Sequence, residues 1–161
     1  MGNFDGRVVV VTGAAHGIGR ATALAFGRAG AAVVVSDHGD AGEAVADEIR
    51  AAGGQTMFVL ADVAKATDVE RLMREAESRF GRIDCLFNNA GIEGQLAPTA
   101  DATLENWERV IAVNLSGVFY GMKYAIPALL RAGGGSIVNN ASVAGLVGFA
   151  QSAASTASKG G

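Results

Sequence analysis

The chain has 161 residues, half of them apolar, which is enough for one domain with a sizeable hydrophobic core. Thirteen Lys and Arg residues against 16 Asp and Glu residues leave a net charge of −3, and the basic residues form no stripe along any segment. This balance argues against nucleic acid and anionic membranes as partners.

The N-terminal segment, residues 1–6, lacks the basic start and the apolar stretch of a signal peptide. No apolar run of the sequence approaches the length that spans a bilayer, so we expect a cytoplasmic protein without a membrane partner. Cys85 is the only cysteine, which excludes an internal disulfide. Its apolar neighbours predict a buried position in a strand rather than a reactive thiol.

Short, apolar, β-branched runs alternate with helical patterns along the chain. The runs predict five parallel strands covered on both faces, at 7–12, 31–37, 55–62, 83–88 and 136–140. The periodic segments predict helices at 17–29, 40–52, 67–80 and 103–132. This order predicts a doubly wound α/β sheet of the Rossmann type, with residues 1–161 forming a single domain.

Local signals mark where the predicted helices start and stop. Capping-box spacing at Asp40–Glu43 and at Thr67–Glu70 predicts two helix starts. Glycines mark the predicted helix ends, at Gly30, Gly53, Gly81 and Gly133. Pro127 lies inside the longest helical pattern, and its missing N–H predicts a kink or a break just before it.

A glycine-rich turn follows the first predicted strand and leads directly into the first helix. It has the spacing G-x-x-x-G-x-G and offers as candidate cofactor contacts Gly13, His16, Gly17, Ile18 and Gly19. Glycines let the backbone approach a pyrophosphate, and the free N–H groups of a helix start favour its charge. An ordinary glycine-rich turn is the alternative, but the position between strand and helix favours phosphate binding.

Asp37 ends the second predicted strand. It lies at the distance past the glycines that is typical of a carboxylate accepting hydrogen bonds from the adenosine ribose. A 2′-phosphate would face this negative charge, so the sequence favours NAD over NADP. His38 beside it could soften the preference, and a solvated strand end is the alternative interpretation of Asp37.

The spacing of the turn and several ordered motifs, from Arg7 to Lys159, resemble the classical short-chain dehydrogenase/reductase family. Asp62-Val63 resembles the pair that contacts adenine, and Asn88 to Gly91 match the N-N-A-G motif. The resemblance implies further cofactor contacts at Asp62, Val63, Asn89, Ala90 and Gly91, and no metal. It also implies an NAD(P)-binding domain, hydride transfer between a nicotinamide and a secondary alcohol or ketone, and homo-tetrameric or dimeric full-length relatives.

The family's catalytic residues match Asn114, which would hold a proton-relay water, Ser142, and Lys159, which would also bind the nicotinamide ribose of the cofactor. The family's tyrosine of Y-x-x-x-K is replaced by Ser155. A serine hydroxyl is far less acidic than a phenol beside an ammonium, and it is shorter by a ring. We therefore expect this chain to be impaired or inactive as an oxidoreductase. A non-catalytic NAD-binding module or pseudoenzyme, and an inert fragment, are the alternatives.

The resemblance also implies a longer protein. Family members continue past the position of Gly161 through a helix, two strands and a substrate-covering segment, so we expect the C-terminal part of the fold to be missing. A fragment, a truncated gene product and an incomplete record of a longer chain are all open. The apolar stretch Gly145–Ala150 favours an alicyclic or aliphatic alcohol over a charged sugar, with a loop packed into the core as the alternative.

Overall fold

A computed structural model describes residues 3–161; Met1 and Gly2, which begin the N-terminal segment considered above, lie outside it. Its strands are β1 (Val8–Thr12), β2 (Ala32–Asp37), β3 (Thr56–Leu60), β4 (Cys85–Asn88) and β5 (Ser136–Asn139). Its helices are α1 (Gly17–Arg28), α2 (Gly42–Ala51), α3 (Ala66–Phe80), α4 (Leu104–Ile111), α5 (Gly117–Arg131) and α6 (Ala153–Gly160). Among residues 3–161, no helix is both long and apolar enough to cross a membrane.

The strands form one parallel sheet in the order β3-β2-β1-β4-β5. From β1 the chain first builds outward through β2 and β3, then returns to the other side of β1 for β4 and β5. The predicted doubly wound α/β sheet is therefore confirmed. The point where the order reverses lies between β1 and β4, and such sheets bind ligands at the carboxyl end of this point.

The alternating valines of β1 show why both faces of the sheet are covered at its centre; the edge strand β5, expected to be covered as well, is mostly exposed. Val8 and Val10 belong to a core that includes residues of α3 and α5, whereas Val9 and Val11 belong to a second core with α1 and α2. All four are buried. A run that is apolar at every position, rather than at every second one, is what a strand between two helical layers requires.

The long helix predicted over residues 103–132 is interrupted. α4 ends at Ile111, a π-helical turn spans Ala112–Ser116, and α5 continues to Arg131. Of the kink or break expected before Pro127, the break is wrong, because α5 runs through the proline. The neighbouring Ala125 and Ala128 are buried against the sheet, so tertiary packing holds the helix together there.

The predicted capping boxes are also wrong. α2 begins only at Gly42, and Glu43 donates its backbone N–H to the backbone carbonyl of Asp40 rather than to its side chain. α3 begins at Ala66, which places Thr67 inside the helix. The four glycines predicted at helix ends are confirmed by their left-handed backbone, with φ of +95° at Gly30, +85° at Gly53, +78° at Gly81 and +90° at Gly133.

Candidate active site

The glycine-rich turn leaves β1 and enters α1 with almost no space for side chains. Gly13 has φ +61°, and a Cβ added to it would lie 2.7 Å from Ala90 Cα. A Cβ on Gly19 would clash with the Gly13 carbonyl oxygen and lie 2.5 Å from Asn89 Nδ2. The predicted helix start at Gly17 is confirmed. Backbone N–H groups can therefore approach a phosphate here without obstruction by side chains.

Asp37 lies at the end of β2 and is tied to this turn. Its side chain is nearly buried, with Oδ2 accepting the Ala15 N–H at 3.0 Å. Oδ1 accepts the His38 N–H at 2.8 Å, and the exposed His38 ring places Nδ1 2.8 Å from the same oxygen. The carboxylate is thus held by hydrogen bonds beside the turn, with the His38 imidazole next to it.

Asp62 and Val63 follow β3 on the same edge of the sheet. Asp62 Oδ1 accepts the Ala64 N–H at 3.0 Å, and Oδ2 lies 3.5 Å from Lys65 Nζ. Val63 is buried, and a Cβ added to Gly117 would lie 3.0 Å from its Cγ2. Gly117 therefore lets the start of α5 lie close to the loop that presents this pair.

The loop after β4 is bonded to the end of β1. Asn89 donates from Nδ2 to the carbonyl oxygens of Thr12 at 3.0 Å and Gly13 at 3.1 Å. Thr12 Oγ1 in turn accepts the N–H groups of Asn89 at 3.0 Å and Ala90 at 3.1 Å. These four bonds join the N-N-A-G segment directly to the glycine-rich turn.

Together these segments enclose a cleft of about 560 Å³ at the carboxyl edge of the sheet. Most of the predicted cofactor contacts line it, namely Gly13, His16, Gly17, Asp37, Asp62, Val63, Asn89, Ala90 and Gly91. Ile18, Gly19 and Lys159 do not. Ile18 is exposed outside the cleft, Gly19 is buried beneath the turn, and Lys159 lies on α6. Sequence reasoning missed Arg109 and Val113, which line the cleft from α4 and the π-helical turn and carry no motif of their own.

Asn114 lies in the π-helical turn and is buried. Its Oδ1 accepts the Ile92 N–H at 2.8 Å, and its Nδ2 donates to the Ile92 carbonyl at 2.8 Å and to Ser158 Oγ at 3.0 Å. The side chain thereby joins the loop after β4 to α6. Single π-helical turns occur often at functional sites, and here the turn presents the candidate relay residue.

Lys159 projects from α6 toward the end of β5, and its Nζ donates to the Asn140 carbonyl at 3.0 Å. Burial lowers the pKa of its ammonium. A Cβ added to Gly91 would lie 3.5 Å from Lys159 Nζ and 3.3 Å from Asn114 Oδ1, so these three predicted site residues converge.

Ser142 and Ser155 differ in exposure. Ser142 is exposed and caps the short 3₁₀ turn Val143–Gly145, its Oγ accepting the Ala144 N–H at 3.2 Å. Ser155 is half-buried on α6, one turn before Lys159.

The apolar stretch after Ser142 is exposed, with Leu146 87% and Phe149 50% accessible, so its alternative interpretation as a loop packed into the core is wrong.

Cys85 opens β4, as predicted, but it is only partly buried. Burial together with the nearby Asp84 carboxylate raises the pKa of its thiol. A raised pKa disfavours the reactive thiolate at neutral pH.

Within residues 3–161, no three His, Cys, Asp or Glu side chains are grouped so that they could hold a metal ion.

Comparison with known proteins identifies relatives over almost the whole chain. Cyclohexanol dehydrogenase of Acinetobacter sp. (strain SE19) is 45% identical over 159 residues, which make up 98% of this chain and 63% of that protein. The cis-4-hydroxycyclohexanecarboxylate dehydrogenase of Sinomonas cyclohexanicum is 42% identical over 158 residues, 98% of this chain and 64% of that protein. The chain thus spans less than two thirds of the length of these relatives.

The fold is also found among solved structures. The crystal structure of levodione reductase superposes with a TM-score of 0.94 at 37% identity, covering 99% of this chain and 63% of that one. The family described as short chain dehydrogenase matches residues 7–161. That range includes every strand and helix described above. The chain therefore belongs to the short chain dehydrogenase family.

Proposed function

We propose that this chain is the NAD(H)-binding part of an oxidoreductase that interconverts a secondary alcohol and a ketone, and that Ser155 leaves it without the group that transfers the proton. Members of its family are dehydrogenases and reductases that use a nicotinamide cofactor. The observation that carries the proposal is the cleft, in which the glycine-rich turn, Asp37 and Asn89 converge at the switch point of the sheet.

The residues of the cleft fit a dinucleotide. Gly13 and Gly19 let the turn pack directly against Ala90 and Asn89, which leaves its backbone without side chains where a pyrophosphate would approach. Asp37 can accept hydrogen bonds from the adenosine ribose, and its negative charge opposes a 2′-phosphate, which supports NAD over NADP. The loop segment from Asp62 to Val63 would contact the adenine, and Lys159 the nicotinamide ribose. When bound, the nicotinamide supplies or accepts the hydride.

The rest of the reaction is proton transfer at the substrate oxygen, and the chain's own residues must perform it. In this proposal Ser142 donates a hydrogen bond to the substrate oxygen. Asn114 and Lys159 hold the proton relay that lies behind that oxygen. A phenol between them would carry the proton, because the neighbouring ammonium would lower the pKa of the phenol toward neutral pH. The Ser155 hydroxyl has neither the acidity nor the length for this role.

The substrate proposed is an alicyclic alcohol or ketone. Two relatives are named for cyclohexanol and for cis-4-hydroxycyclohexanecarboxylate. The exposed apolar residues Leu146, Val147 and Phe149 follow Ser142 after one short 3₁₀ turn and offer a surface for an apolar ring. A second candidate function is favoured by Ser155 itself: a protein that binds NAD(H) without turnover.

Titration of the 161-residue chain with NADH, followed by calorimetry, tests cofactor binding. Turnover is tested by fusing residues 1–161 to the C-terminal part of the Acinetobacter cyclohexanol dehydrogenase that the chain does not span. Ser155→Tyr in this fusion should raise cyclohexanol oxidation by about 10²–10⁴-fold, the usual contribution of general acid-base catalysis. The reduced cofactor is measured by its absorbance.

Ser155→Phe is the matched control, because it restores the ring without the hydroxyl and should remain as slow as the Ser155 form. Equal rates for the Ser155 and Ser155→Tyr fusions would mean that another group carries the proton. NADH binding without turnover by any of the three forms would favour the binding module. Failure to bind NADH would refute both functions.

A further inference from the structure

Two consecutive asparagines at the end of β5 each pair with an asparagine at the end of β4. Asn88 Nδ2 donates to Asn139 Oδ1 at 2.9 Å, and Asn140 Nδ2 donates to Asn89 Oδ1 at 3.0 Å. The first pair lies toward α5, where Asn88 also approaches the Val118 carbonyl at 3.4 Å. The second pair lies toward the glycine-rich turn. The same chemical contact thus occurs twice, in two different environments.

The pair of Asn89 and Asn140 bears on the turn because Asn89 uses its amide nitrogen there. Nδ2 donates to the carbonyls of Thr12 at 3.0 Å and Gly13 at 3.1 Å, so both of its N–H groups point at the backbone of the turn. Rotation of this amide by half a turn would set Oδ1 against two carbonyl oxygens, which repel it. The side-chain N–H of Asn140, which donates to Asn89 Oδ1, favours the orientation in which Asn89 holds the turn.

Asn140 is also bonded through its backbone. Its N–H donates to the Asn88 carbonyl at 2.9 Å, which continues the pairing of β5 with β4. Its carbonyl accepts the Lys159 ammonium at 3.0 Å. One residue therefore contacts the lysine on one side and, through Asn89, the glycine-rich turn on the other.

We infer that Asn140 is a positioning residue for the cofactor. Its side chain sets the amide of Asn89 in the orientation that holds the phosphate-binding turn, and its backbone joins the same strand end to Lys159. This inference rests on the proposed function, since it requires NAD(H) to bind against the turn.

The experiment measures the dissociation constant of NADH for the 161-residue chain, with the melting temperature of each variant recorded alongside. Asn140→Leu keeps the approximate volume of the side chain but removes its N–H donor. We expect it to raise the NADH dissociation constant about five-fold, the effect of losing one ordinary hydrogen bond that favours the bound form. Asn139→Leu removes the equivalent bond, the one with Asn88 on the side of α5. It should change the NADH dissociation constant less than about two-fold. Asn140→Ala serves as a second variant if the leucine side chain prevents folding.

A double-mutant cycle separates positioning from a general loosening of the strand. Asn89→Ala removes the amide on which Asn140 acts. In that background, Asn140→Leu should produce no further weakening of NADH binding, because both changes break the same link. A merely structural loss at Asn140 would instead add to the effect of Asn89→Ala.

The inference is overturned if the unaltered chain binds NADH but both Asn140 variants bind it equally well, if Asn139→Leu weakens binding as much as Asn140→Leu, or if the effects at Asn89 and Asn140 add. If the unaltered chain does not bind NADH at all, the proposed function fails, and the inference fails with it.

Discussion

Asn114 Nδ2 donates a hydrogen bond to Ser158 Oγ over 3.0 Å, and both side chains are buried. Ser158 Oγ in turn donates to the Ser155 carbonyl at 2.8 Å within α6. The π-helical turn and the helix that carries Lys159 are therefore joined by a hydrogen bond shielded from water. The candidate relay residue and the candidate lysine are held by the same contact.

Ser158→Ala should destabilise the fold by about 1–3 kcal/mol, because one N–H of the buried Asn114 amide is left without its acceptor. Urea denaturation measures the free energy of unfolding. Ser155→Ala, which removes a half-buried hydroxyl from the same helix, should cost less than about 0.5 kcal/mol. If both variants lose the same stability, the hydrogen bond to Asn114 contributes nothing particular.

Gly19→Ala should raise the NADH dissociation constant at least about ten-fold and lower the stability by about 1–3 kcal/mol, since overpacking forces the turn to shift. The added Cβ would clash with the Gly13 carbonyl oxygen and crowd Asn89 Nδ2. Gly39→Ala is the matched control, because a Cβ there meets nothing within 4 Å. Calorimetric titration compares the two variants, and unchanged NADH affinity in Gly19→Ala would contradict a close approach of phosphate to this turn.

Asp37 should make the chain prefer NADH over NADPH, and Asp37→Asn should reduce that preference about ten-fold by removing the charge that opposes a 2′-phosphate. The ratio of the two dissociation constants, measured at one salt concentration, tests this. Asp40→Asn makes the same charge change at an exposed position three residues further on and should leave the ratio unaltered. A preference for NADPH that survives Asp37→Asn would refute the ribose contact.

Lys159 should make the stability depend on alkaline pH. Burial lowers the pKa of its ammonium below the ordinary value of 10.5, so the folded chain releases this proton at a lower pH than the unfolded chain does. Between the lowered pKa and 10.5, the unfolded state binds more protons, and the free energy of unfolding rises with pH. The stability gained by releasing the buried charge is therefore fully present above 10.5, and it is lost as the pH falls through the folded pKa.

Lys159→Met should remove this rise, whereas Lys123→Met, at an exposed site on α5, should keep it. Urea denaturation of the three proteins at several values of pH between neutral and 10.5 gives the slopes. The same slope in Lys159→Met as in the unaltered chain would show that another group is responsible.

Local patterns were enough to determine the layered architecture and one half of the cleft. A strand such as β1, apolar at every position, can be stable only between two helical layers, and its alternating valines do face two cores. The turn from Gly13 to Gly19 was recognisable because glycine spacing and its place between strand and helix are both local features. Asp37 followed from the distance along the chain to the end of β2.

Only the tertiary structure decided which side chains meet. The pairs Asn114 with Ser158 and Asn89 with Asn140 join residues 44 and 51 positions apart. Such contacts depend on sheet register and on the rotation of α6, which no local pattern encodes. The same holds for the π-helical turn: periodicity predicted a continuous helix over 103–132, and Pro127 indicated an interruption in the wrong place. The helix instead changes where Asn114 bonds both polar groups of Ile92, because satisfying buried polar groups across the fold outweighs local helix propensity.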